Sequence, residues 1–168
     1  MLKKQSIAPD FPLHQSLGLT VQTDMGGQQA EINNFYWAPL FNGGIPHPVV
    51  VGTQQPILLV DEGDLRLSTV DFAKDLRRYL TGALAKVSAD QVRRLVIVYR
   101  PSWAAEYHLP ADAQRIRIAH RLIRDALAAI YDLATAGQVP IFYGGFYFED
   151  ELPLILGDGN VDGVLINQ

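Results

Sequence analysis

Cysteine is missing from all 168 residues, which rules out a disulfide, a thiolate nucleophile and a zinc–thiolate centre. Positive charge is also scarce. The 14 Lys and Arg stand against 18 Asp and Glu, for a net charge of −4. A protein that tracks nucleic-acid phosphates carries the opposite balance, so no nucleic-acid partner is expected. No apolar run approaches the ~20 residues needed to span a bilayer, so no membrane partner is expected either. The opening MLKKQSIAPDFP has a basic start with no apolar stretch behind it, so no signal peptide is expected. Charged residues make up only 19% against 48% hydrophobic, a ratio that lets a chain of this length bury a core. These absences leave a soluble, cytoplasmic α/β or α+β protein with residues 1–168 as a single domain.

What is present has two textures. From Pro56 onward, short apolar runs alternate with amphipathic stretches. Ile57–Val60, Leu95–Tyr99, Val139–Tyr143 and Val161–Ile166 are β-rich and flanked by turn signals, so they read as buried strands. Ser68 followed by Asp71 reads as a helix start. Phe72, Leu76, Tyr79, Leu80, Ala83 and Leu84 then recur at helical spacing. Ser88–Gln91 offers one short capped turn. Pro110 and Asp112 open another helix, with an apolar face running from Ile116 to Leu133 and Gly137 as its end. A last short helix is expected over Glu149–Leu156, limited by Pro153. Near-continuously apolar strands separated by helices imply a parallel sheet covered by helices. Residues 57–168 therefore form four regular βα units. Residues 1–56 are rich in Pro, Gly, Gln and Asn. Strand candidates there are Gln5–Ala8, Leu17–Thr23 and Pro48–Gly52. Gln28–Leu40 reads as a helix, or Leu19–Trp37 as a hairpin turning at Asp24–Gly27, and local pattern leaves both open.

Five segments in order resemble one family. Pro56–Val60 with Glu62, Val98-Tyr-Arg-Pro-Ser-Trp-Ala104, Pro110–Gln114, Ile141-Phe-Tyr-Gly-Gly145 and Val161–Ile166 are similar to the fifth strand, the sixth strand, the helix after the mobile lid, the seventh strand and the eighth strand of triosephosphate isomerases. In that register, Ser6–Pro12 resembles the second strand and Leu19–Asp24 the third. Ala30–Leu40 resembles the following helix, and Val49–Gly52 the fourth strand. The implied fold is α/β, a reduced or open TIM-type β/α barrel of about seven parallel strands with several helices missing. The first strand and its helix have no counterpart, and residues 1–56 form an eroded first part.

The resemblance also implies what is lost. The family abstracts a proton next to a carbonyl with a glutamate base and a neutral histidine, under a loop that closes out water; it is a standard worked case of tuned acid–base catalysis. The base's position is occupied by Arg100, which stays protonated and cannot accept a proton. The histidine's position is Thr53, and the lysine belongs to the strand without a counterpart. Gly144-Gly145 of the phosphate loop remains, but Phe146 follows where the family has serine, and the resemblance has the eighth strand ending in Asn167-Gln168, just before the place of the family's glycine pair. The lid between Trp103 and Pro110 is short and has no glycine. The expectation is a homologue without isomerase activity and with no catalytic residues at the family positions. It would serve as a binding, regulatory or interaction module, the alternative being a residual or altered isomerase acting on a small phosphorylated sugar.

Candidate ligand-binding residues are Arg100, Glu62, Gly144 and Gly145. Arg100 reads either as an anchor for an anionic ligand or as an ion-pair partner of Asp61, Glu62 or Glu106. Asp10, Asp24, Asp61, Glu62 and Arg100 are all expected near strand ends, as a new acid–base or metal constellation or as ordinary loop polarity. Gly144-Gly145 reads as a packed turn or as a phosphate cradle. His14, His47, His108 and His120 show no ligand spacing, so no metal and no cofactor are expected. Phe35-Tyr36-Trp37 and Phe146-Tyr147-Phe148 read as core or interface. Missing helices would bare apolar strand surface and a missing strand would leave unpaired edges, so a homo-oligomer or a covering protein partner is expected.

Overall fold

The computed structural model describes residues 35–39, 49, 56–62, 68–105 and 108–164. Within them the β-rich runs form one parallel sheet. Its strands are β1 (Phe35–Pro39), β2 (Ile57–Asp61), β3 (Val96–Tyr99), β4 (Ile141–Tyr143) and β5 (Gly163–Val164), paired in that order. The register runs Ile57↔Val96, Ile97↔Ile141 and Phe142↔Gly163. Strand order equal to chain order, with helices in the connections from β2 to β5, is the pattern of a β/α barrel wall. The chain thus has the architecture of part of a TIM-type barrel. Five strands fall among the described residues, and four of them, β2 to β5, are among the seven expected. Gln5–Ala8, Leu17–Thr23, Val50–Thr53 and residues 165–168 lie outside the described residues.

One sequence expectation is corrected. Of the two readings left open here, a helix over Gln28–Leu40 and a hairpin over Leu19–Trp37, the helix fails over Phe35–Pro39, which is a strand parallel to β2 from Phe35↔Ile57 to Pro39↔Asp61. It takes the place beside β2 that the resemblance gave to Val49–Gly52. Aromatic residues carry β propensity, and a sheet neighbour decides such a stretch where local pattern does not. Val49 instead ties to the helix layer: it is buried and its N–H donates to the Ala83 carbonyl at 2.7 Å.

The helices begin where their caps place them. In α1 (Thr69–Ala83) the Ser68 hydroxyl accepts from the Asp71 N–H and donates to the Asp71 carboxylate. In α2 (Ala89–Val92), Ser88 and Gln91 form a reciprocal capping box. After the short α3 (Ser102–Ala105), the Asp112 carboxylate accepts from the Arg115 N–H at 2.8 Å and starts α4 (Ala113–Ile130). The apolar face of α4 was expected to run on to Leu133. The helix stops at Ile130 because Asp132 caps a separate helix, α5 (Leu133–Gln138), through the Thr135 N–H, and Leu133 is left 83% exposed. A 3₁₀ turn (Glu149–Glu151) leads into α6 (Leu152–Leu156), with Pro153 in its first turn, where a missing N–H costs nothing.

Side-chain alternation sorts the strands into two faces. Leu58, Val60, Ile97, Tyr99, Ile141 and Tyr143 pack with α1 and α4 in the main core. Ile57, Leu59, Val96, Val98 and Phe142 form a second buried cluster on the inner face. Strands β2–β4 are thus buried on both faces, which explains their near-continuous apolar sequences.

Candidate functional site

The C-terminal ends of β2, β3 and β4 bring three sequence-flagged segments to one rim. The Arg100 N–H donates to the Val60 carbonyl at 2.9 Å, and the Gly144 N–H donates to the Tyr99 carbonyl at 2.8 Å. The ladder therefore continues one residue past β3 and past β4, so that Asp61, Arg100 and Gly144 stand side by side. This is the end of the sheet where folds of this architecture place their chemistry.

Alternation then divides the rim. Asp61 continues the Ile57 and Leu59 side of β2, and Arg100 continues the Val96 and Val98 side of β3, so both belong to the inner face. Glu62 continues the Leu58 and Val60 side, toward the helices. Asp61 is buried and Arg100 is partly exposed. The ion pairs among the described residues do not include Arg100. Of the partners the sequence offered it, Glu62 is engaged elsewhere, and Glu106 lies outside the described residues, as do Thr53, Asp10 and Asp24.

Glu62 is fully buried and sits in a polar cluster the sequence reading missed. One carboxylate oxygen accepts from Arg115 Nη2 at 2.5 Å and the other from the Tyr99 hydroxyl. Arg115 is itself buried, with its guanidinium 5.5 Å from the Phe72 ring centroid. A charge so deep is stable only when paired, and each partner here answers the other. Burial opposes the Arg115 charge, but the Glu62 carboxylate outweighs it and raises the guanidinium's affinity for its proton. Burial, and then the Glu62 charge, push the Tyr99 hydroxyl well above the usual tyrosine range, so it stays a donor. The missed signal was periodicity: Arg115 sits one residue before the apolar Ile116 on the buried side of α4.

His120, also on α4, is fully buried. Its Nδ1 lies 3.3 Å from the Asn160 carbonyl oxygen and its Nε2 has no hydrogen-bond partner among the described residues. The ring packs against Tyr99 and Tyr143, at 5.8 and 6.4 Å between centroids. Burial lowers its pKa to about 3, so it is a neutral imidazole at any ordinary pH. At the opposite end of the sheet, Arg124 donates to the Ala136, Val139 and Asn160 carbonyls and to Asp162, whose carboxylate also accepts from the Ile141 N–H. That hub fixes α4, α5, β4 and the approach to β5.

Gly144 and Gly145 are both buried. The Tyr143 hydroxyl donates to the Phe146 carbonyl at 3.1 Å, folding the ring under Gly145. A Cβ on Gly145 would collide with that hydroxyl and ring, so packing requires glycine there. Among the described residues no three His, Asp or Glu side chains are grouped to hold a metal ion. No helix among them is long and apolar enough to cross a membrane.

Comparison with known proteins identifies the lineage. The family model for triosephosphate isomerase matches residues 52–168. The chain belongs to the triosephosphate isomerase family. It is 35% identical over 123 residues to a triosephosphate isomerase of Herpetosiphon aurantiacus, covering 71% of this chain and 48% of that one. It is 31% identical over 115 residues to that of Chloroflexus aurantiacus, covering 67% and 45%, and 34% identical over 87 residues to that of Latilactobacillus sakei, covering 52% and 35%. The chain spans about half the length of the curated relatives it matches most extensively. The matched region carries β2 to β5 and the rim that they form.

Proposed function

We propose that this member of the triosephosphate isomerase family does not interconvert triose phosphates and serves as a binding module for a small anionic or phosphorylated ligand. One observation carries the reading: a permanently cationic side chain, Arg100, stands at the inner-face rim after β3, in the segment that resembles the family's base-bearing strand end. Arg100 would anchor the anion through its guanidinium fork, and Gly144 and Gly145 would line the approach. Glu62 would act from behind, since its charge is committed to Arg115.

A ligand that binds only the folded form must raise its stability, by about 2.7 kcal/mol at a hundred times Kd. Inorganic phosphate and triose phosphates should therefore raise the melting temperature, while neutral glycerol should not. Arg100→Gln should abolish the shift. No shift with either anion, or an unchanged shift in the variant, contradicts the reading. A second reading, an altered isomerase, is favoured by Asp61, an inner-face carboxylate one strand from Arg100. We propose further that the chain is cytoplasmic and self-associates, which cell fractionation and light scattering test.

A further inference from the structure

The connection that follows β3 begins at Arg100, and the one that follows β4 begins at Gly144. These two residues stand side by side, since the ladder continues through the Gly144 N–H to the Tyr99 carbonyl. The two connections meet again beyond the sheet. The His108 ring lies edge-to-face on Phe146, with centroids 5.4 Å apart, and Phe146 lies edge-to-face on Phe148 at 5.2 Å. Both separations are those of attractive aromatic pairs. Ladder and rings thus close a circuit of chain with Arg100 at its base.

The rest of the first connection is pinned. Ala104 and Ala111 are buried in the main core, and the Leu109 N–H donates to the Ala104 carbonyl at 3.1 Å. No glycine between Trp103 and Pro110 offers an easy hinge. His108 itself has φ 51°, in the left-handed region that few side chains adopt and that histidine tolerates better than most. Such a conformation persists where surrounding contacts hold it, and the ring contact with Phe146 is made at that residue. On the other side, the Phe146 carbonyl is held by the Tyr143 hydroxyl. We propose that His108, Phe146 and Phe148 form a clasp that fastens the two connections by contacts within the protein, so that full access to the Arg100 side chain requires the clasp to open. The connection is then a fastened wall, in contrast to the mobile lid of the triosephosphate isomerases. The proposal rests on the anion-binding reading for what enters the rim, and not for the clasp itself.

Two measurements on the full chain without added ligand test this. Amide hydrogen exchange at Leu109 reads the fastening. The rate at which phenylglyoxal modifies Arg100, followed by peptide mass mapping, reads access to the rim. His108→Asn keeps a residue that tolerates the left-handed backbone but removes the ring. Phe146→Leu keeps apolar bulk and also removes a ring. Each should speed both rates by about two- to twelve-fold, the worth of one aromatic pair. The double variant should do little more than Phe146→Leu alone, because both substitutions break the same contact. Phe146→Tyr keeps the ring and should keep both rates. Arg77, exposed on α1, should react at one rate in every variant. Thermal melting confirms folding, and either ring-less variant suffices. Unchanged rates in the ring-less variants overturn the proposal. So does faster exchange at Leu109 with unchanged modification of Arg100, or a double-variant effect equal to the product of the single ones. Inorganic phosphate added to the native chain tests the other reading separately: failure to protect Arg100 removes the anion site, while the two rates still judge the clasp.

Discussion

Arg115 and Glu62 set the strongest expectation for single residues. Arg115→Met leaves a fully buried carboxylate without its cation, a loss of about 3–5 kcal/mol. Adding Glu62→Gln removes the stranded charge and keeps an acceptor for Tyr99, so the double variant should recover most of that loss in urea denaturation. A double variant less stable than Arg115→Met alone would deny the coupling. His120 gives the pH dependence. Its folded-state pKa is depressed to about 3 from 6.5, chiefly by burial, so the unfolded chain takes the proton first as pH falls. Stability should be complete above about pH 6.5 and decline toward pH 3, with His120 contributing a slope approaching 1.4 kcal/mol per pH unit. His120→Gln should flatten the profile in that window, and a profile unchanged by the substitution would refute the assignment. Gly145→Ala should cost about 1–3 kcal/mol by displacing the Tyr143 ring, read as a lower melting temperature. At this scale the sequence was only partly informative. Arg100 and Gly145 were visible as chemical types, but whether Glu62 faces the rim or the helices depends on its alternation after β2. Periodicity could have placed Arg115 on the buried side of α4, but its carboxylate partner, 53 positions away, could not be read from any local window.

Helices and strands were legible where short-range chemistry decides them. Ser68, Ser88 and Asp112 each announced a helix start, because an N-cap needs only its own next three residues. Asp112→Ala should therefore cost about 1 kcal/mol, measured by thermal unfolding, and Asp112→Ser should restore most of it. Strands β2 and β3 were readable from β-branched runs. Two features escaped. The Asp132 cap divides what looked like one long apolar face, since periodicity alone cannot show that a polar residue within it is a helix start. Strand β1 was left undecided between helix and hairpin because its identity comes from pairing with β2, a long-range term that no local window contains.

For the molecule as a whole, the order β1 to β5 and burial on both faces of β2–β4 make a continuous barrel wall. Among the described residues β1 and β5 each have one neighbouring strand. The proposed self-association should appear as a mass above 18.6 kDa by light scattering at micromolar concentration, and a monomer would remove that proposal. The central claim, a binding module in which a cation stands in the base's strand-end segment, is most directly tested by a coupled isomerase assay on the full chain with saturating triose phosphate. The account predicts no turnover above the uncatalysed rate. Clear turnover that Asp61→Asn abolishes would contradict it.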